Sequence, residues 1–279
     1  MVTELPIGVL TGTDFDGGAE PDGAWLDPAE VDLLCAFAKV RPPFPLKIKP
    51  QGTTVGEQRA RYAEARARLA AQGLAGARGP RGPAADLVRL LETGVGVVDV
   101  LVARRGRSLG ALVLAERDDA LLLTQAGAGG RVHLLSLRTH TVLDHLLALV
   151  PDHPAALAAP FSLPRRALDS AHRAIQGAGR PLSADELDRL LAEHGVDEQS
   201  ARRLTTHLQP VLGNGQVGVA HPRGPGWERG GPELRWLDTA RGRFRLGGAP
   251  GSEWMSVNPL SGDDLHLALR DLAGELWYR

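Results

Sequence analysis

The feature that most constrains this chain is a pattern written twice. Apolar positions between Leu112 and Val150 return between Leu234 and Leu272, an offset of 122 residues. In the first copy ALVLAERDDALLLT (Ala111–Thr124) gives two apolar runs around Asp118-Asp119, and VHLLSL and TVLDHLLALV follow. In the second copy LRWLDTARGRFRL (Leu234–Leu246) gives two runs around Arg241-Gly242, and EWMSV and DDLHLALRDL follow. At that offset Leu112 meets Leu234, Leu114 meets Trp236, Val132 meets Trp254, and Leu143, Leu147 and Val150 meet Leu265, Leu269 and Leu272. Positions repeat while identities do not, as expected of two halves that share a sheet and a buried face.

A second register points the same way. Asp27, Pro28 and Glu30 form a helix start, with a cap, a proline at the first helical position and a carboxylate that can reach back. Val31, Leu34, Cys35 and Ala38 then make a stripe at helical spacing. The capping box Ser183/Glu186 and the stripe Leu187, Leu190, Leu191 and His194 repeat this layout 156 residues on. A second helix is expected from Thr54-x-x-Glu57 to Gln72, with a counterpart over 197–208.

PLKIK (Pro45–Lys49) alternates as an edge strand does, and the Gly/Pro tract 73–83 reads as a connector without regular structure. A short helix at Ala84–Glu92 precedes strands at Val95–Ala103, Leu109–Glu116, Leu121–Gln125 and Val132–Leu137, and a helix at Thr141–Val150 follows. The helix beginning at Pro164 keeps Leu168, Ala171 and Ile175 on one side. The second half supplies strands at Gln216–His221, Glu233–Thr239, Gly242–Leu246 and Glu253–Val257, and a closing helix at Asp263–Leu276. Clustered strands predict an α+β fold, not a doubly wound nucleotide fold. The expectation is one domain with a pseudo-twofold duplication, a central antiparallel sheet and flanking helices. Residues 1–24 form an extended arm, 25–151 the first half, 152–164 a linker and 165–279 the second half.

With 32 Lys+Arg against 33 Asp+Glu, no net field draws the chain to nucleic acid or an anionic membrane. A single cysteine, Cys35, excludes an internal disulfide and a thiolate zinc cage and fits a reducing compartment. No apolar run approaches the ~20 residues of a membrane helix, and the N-terminus lacks the marks of a signal peptide. These points predict a cytosolic protein.

Chemical motifs are present in letters but out of context. Gly106-Arg107-Ser108-Leu109-Gly110 matches G-x-S-x-G, yet a nucleophile elbow needs a helix after the serine and ALVLAE reads as strand. Gly213–Gly218 matches G-x-G-x-x-G, yet it follows a helix and precedes a strand, so a turn is the expected reading. Of nine histidines the nearest group, His133, His140 and His145, has no metal-ligand spacing. Asp118-Asp119 reads as a turn and Asp263-Asp264 as a helix start. No cofactor, metal or catalytic set is implied.

Arginine pairs suit contacts better than chemistry, because arginine is enriched at protein interfaces. Arg104, Arg105 and Arg107 crown a hairpin, Arg165-Arg166 open a helix, and Arg202 and Arg203 lie on a helix whose buried side is Ala201, Leu204 and Leu208. Arg104, Arg105, Arg107, Arg202, Arg203 and Gln209 are the candidate partner-binding residues.

The stretch from GQVGVA through LDTARGRF to WMSVNP resembles the ESX secretion-associated EspG family of actinobacterial type VII secretion systems. LDPAEVDLLCAFA, EQRARYAEARARL, VDVLVARRGRSLGALVLAERDDALLLT and FSLPRRALDSA extend the likeness over residues 25–276. The resemblance implies a cytosolic chaperone or adaptor that is not an enzyme. Its partner would be a PE–PPE-like helical pair or another helical-hairpin secretion substrate, a PPE partner being gripped at its tip by a long second hairpin of the sheet and the C-terminal helical bundle. The turn here that corresponds to that hairpin is read as Arg104–Ser108. A serine hydrolase built on Ser108, and a scaffold of the secretion cluster that binds no cargo, are the alternatives.

Overall fold

The computed structural model describes residues 23–94, 96–178, 183–248 and 251–277. The arm expected over residues 1–24 lies, up to residue 22, outside them. The chain divides into two compact units, one of residues 1–151, 216–233 and 266–279, the other of 152–215 and 234–265.

The first unit opens with a strand that sequence periodicity did not reveal, β1 (Ala24–Leu26), followed by α1 (Pro28–Phe37) and α2 (Val55–Ala71). Each helix starts where its cap predicts. Glu30 Oε2 accepts from the Asp27 backbone N–H at 2.7 Å, and Thr54 Oγ1 accepts from the Glu57 backbone N–H at 3.2 Å while Glu57 returns to Thr54. The Gly/Pro tract is not structureless, since it forms a miniature hairpin of β2 (Ala75–Gly76) and β3 (Gly79–Pro80). PLKIK is not a strand. The Lys47 N–H donates to Gln125 Oε1 at 2.7 Å in place of a ladder, and the prolines beside it have no N–H to give.

After α3 (Pro83–Thr93) come β4 (Val97–Arg104), β5 (Arg107–Glu116), β6 (Asp119–Ala126) and β7 (Val132–Arg138), all antiparallel in sequence. A 3-10 turn (Thr139–Thr141) and α4 (Val142–Ala148) close this stretch. Within the unit the strand order is β1-β7-β6-β5-β4-β9-β10, where β9 spans Val211–Arg223 and β10 spans Gly226–Thr239. Leu26, Leu34, Leu69, Leu87, Leu91, Leu112, Leu114 and Leu134 make the core under the helices.

The second unit begins its regular structure with β8 (Phe161–Pro164) and three helices, α5 (Arg165–Gly177), α6 (Ala184–Glu193) and α7 (Glu198–Leu208). Its strand order is β10-β11-β12-β8, with β11 at Gly242–Gly247 and β12 at Trp254–Pro259. Helix α8 (Gly262–Trp277) ends the described chain. Ala156, Leu163, Leu208, Phe244 and Val257 form one buried cluster here, and Leu191 with Val196 forms a small one among the helices, with Leu168 packed on both. Ala171 and Ile175, predicted beside Leu168, lie outside the described side chains.

The two stretches repeat a pairing scheme, but not in the expected register. Glu116 pairs Asp119 across one tight turn and Thr239 pairs Gly242 across the other, an offset of 123 residues (239 − 116). Val132 pairs Leu26 and Met255 pairs Leu163, again 123 apart (255 − 132). Burial agrees: Val142 and Leu146 are buried and so are Leu265 and Leu269, whereas Trp254, matched to buried Val132 at 122, is 53% exposed. A one-residue slip reverses every side chain in a strand, which is why the distinction matters.

The helices shift too. Each leading strand lies on the last strand of its meander, β1 on β7 and β8 on β12, and each runs directly into a helix, so α5 corresponds to α1 in element order. The offset of 156, which set the α6 sequence against α1, compares similar caps at unequal places.

Candidate protein-binding surface

Strands β9 and β10 are the longest in the chain, 13 and 14 residues against 8 and 10 in β4 and β5. The long hairpin is therefore this one, and the turn at Arg104–Ser108 is tight, with Arg105 and Gly106 at positive φ. G-x-G-x-x-G lies inside β9 and is neither the expected turn nor a phosphate cradle. Its glycines are explained by close approach. A Cβ on Gly215 would stand 2.0 Å from the Trp236 ring, and one on Gly218 would stand 2.6 Å from Arg229 Nη1.

The outer part of the hairpin is anchored within the first unit. Trp227 Nε1 donates to the Arg41 carbonyl at 2.8 Å and the Arg41 N–H donates to the Pro225 carbonyl at 2.7 Å. Arg229 lies over the Phe44 ring at 4.7 Å, bonds Glu233 at 3.0 Å and pairs with Asp99 on β4. Asp99 is fully buried and its Oδ1 has no hydrogen-bond partner. Burial outweighs the Arg229 guanidinium, and Glu233 adds repulsion, so the Asp99 carboxyl is pushed up to about 7.

The base of β9 belongs to the second unit, where a buried ion pair organises one end. Asp238 accepts from Arg243 Nε at 2.6 Å and Nη2 at 3.1 Å, and the guanidinium lies 5.7 Å from the Trp236 ring centre. Thr239 Oγ1 donates to the His207 carbonyl at 3.1 Å, and the Thr239 carbonyl accepts from His153 Nε2 at 2.9 Å. Gly242, at φ 115°, presses on Ala156, where a Cβ would stand 2.6 Å from its backbone. These contacts bring the C-terminal end of α7, the end of β10 and residues 153–156 to one place. Nearby in sequence, Leu157 is 99% exposed, and at the start of β9 Val211 is 41% and Leu212 39% exposed.

Of the predicted contact residues, Arg104, Arg105 and Arg107 sit at the β4–β5 hairpin of the first unit, with Arg105 exposed. Arg202, Arg203 and Gln209 belong to the second unit. Arg202 is exposed and paired with Glu198 one turn back at 2.5 Å, Arg203 lies 6.0 Å from the Phe161 ring centre, and Gln209 is exposed at the end of α7. Leu157, Val211 and Leu212 were missed because sequence gives apolarity without exposure.

Ser108 is the second residue of β5, opposite Ala103, and is followed by strand, so the elbow is not formed. His133 stacks on Trp25 with centroids 4.7 Å apart, and His145 Nδ1 donates to the Thr141 carbonyl at 2.8 Å. Cys35 is buried, and desolvation, with Asp32 nearby, pushes its thiol up to about 12, far from reactivity. Among the described residues no His, Cys, Asp and Glu gather in a group that could hold a metal ion, and no helix is long and apolar enough to cross a membrane.

The solved structure of the Mycobacterium tuberculosis type VII secretion system chaperone EspG5 in complex with the PE25-PPE41 dimer is similar in fold. Its TM-score is 0.59 at 13% identity, over 91% of this chain and 97% of that one. No curated protein matches. The EspG family model matches residues 27–271, and the chain belongs to that family.

Proposed function

We propose that the chain is a cytosolic chaperone of a type VII secretion system that binds a PE–PPE-like helical pair, keeps it soluble and delivers it for export. Family membership across residues 27–271 carries this reading, and the likeness to a chaperone solved with such a pair supports it. The chain acts as a binder and not an enzyme. Its residues 25–151 and 165–279 are the two copies of one ancestral unit.

The contact surface proposed in the second unit is the end of α7 with the base of β9. Val211, Leu212 and Leu157 are its apolar part, and Arg202, Arg203 and Gln209 its polar rim. Arg104, Arg105 and Arg107 form a second contact in the first unit. Exposed apolar side chains and arginine are the residue types of an interface core and rim.

Substituting Val211→Asp and Leu212→Asp together is expected to abolish co-purification of the helical pair while the melting temperature stays within a few degrees of the parent. A double variant that still co-purifies in full places the contact elsewhere.

A further inference from the structure

A second surface, in the first unit, is built differently. Between α1, α2 and the β2–β3 hairpin lies a cavity of about 200 Å³ whose lining includes Leu33, Phe37, Leu69 and Ala75, with Arg66 and Arg78. That volume is below the ~300 Å³ at which small-molecule sites begin. It suits one large side chain inserted from outside. Leu33 and Leu69 are buried, but Phe37 at the rim is 47% exposed.

The charges decide what kind of side chain comes with it. No carboxylate lines the cavity. On α2, Arg61 is paired with Glu64 at 3.3 Å, and Arg68 with Glu30 at 3.3 Å and Asp27 at 3.4 Å. Glu57 is occupied by Thr53 and Thr54. Arg66 from the helix and Arg78 from the hairpin tip are exposed and have no ion-pair partner among the described residues. Two guanidinium groups over an apolar floor are complementary to a carboxylate beside an apolar group, and arginine binds carboxylates with two parallel bonds.

We propose that this cleft docks a protein segment carrying an aromatic side chain flanked by carboxylates, the ring entering beside Phe37 and the carboxylates meeting Arg66 and Arg78. The site is separate from the helical-pair surface, and its test uses no helical pair, so either reading can fail alone.

The test is fluorescence anisotropy with the full chain and a labelled peptide in which one phenylalanine stands between two aspartates in a Gly/Ser frame. Saturable binding is expected. It weakens at least tenfold in R66E, R78E and F37A, and stays unchanged in R59E, because Arg59 is exposed on the same helix but does not line the cavity. A peptide with serine for the phenylalanine, or lysines for the aspartates, is expected not to saturate. The proposal is overturned by no saturable binding, by R59E weakening the peptide as much as R66E, or by equal binding of the serine peptide. It is also overturned if phosphatidylserine vesicles bind in a manner lost in R66E and R78E while the peptide does not bind.

Discussion

Asp99 and Arg229 show how one residue can tie an element down and make it sensitive to its surroundings. A carboxyl held at about 7 when folded, against about 4 when unfolded, binds more protons in the native state across that interval. Its contribution therefore favours the fold at low pH and is lost as pH rises from about 4 to about 7. Asp99→Asn is expected to flatten the decline in urea midpoint between pH 5 and pH 7. An unchanged slope contradicts the assignment. The Asp238–Arg243 pair is buried on both sides, and Asp238→Ala removes the buried carboxylate that accepts two of the guanidinium's bonds. Equilibrium urea unfolding should show a loss of about 3–5 kcal/mol. A loss below 1 kcal/mol would contradict a structural role for the pair.

At the scale of elements, the hairpin β9–β10 depends on glycines that let an aromatic ring and a guanidinium lie against its backbone. Gly215→Ala forces the new methyl into Trp236. Overpacking of that kind costs about 1–3 kcal/mol, measurable as a lower urea midpoint with an unchanged m-value. These contacts also explain which parts of the fold were legible. Helix starts were legible because a cap is a local contract between residues three apart, as at Thr54/Glu57 and Ser183/Glu186. Strand positions were legible where apolar runs end at tight turns, as at Arg117-Asp118. Strand β1 was not, since three residues carry no period and only pairing with β7 defines it. The offset of 122 expected from the sequence differs by one residue from the 123 that relates the two pairing schemes, because β5 is buried on both faces, which hides the parity of a strand. The hairpin length was missed because the glycines that signal a turn in sequence here relieve crowding in a strand.

For the whole molecule, the signatures that first suggested the family prove to be packing residues. GQVGVA supplies the glycines under Trp236 and Arg229, and LDTARGRF supplies the buried pair, the Thr239 bonds and the Phe244 core. They maintain a scaffold and say little about its contacts, which is why the rim arginines rest on exposure and residue type. What the scaffold presents is exposed apolar side chains at Leu157, Val211 and Leu212 and an arginine-lined cleft at Phe37. The most direct measurement is coexpression of the full chain with a PE–PPE-like pair, followed by size exclusion with light scattering. The account predicts a single peak containing all three chains and a helical pair that stays in solution only with its chaperone. Elution of this chain by itself, with the pair equally soluble in its absence, would contradict it.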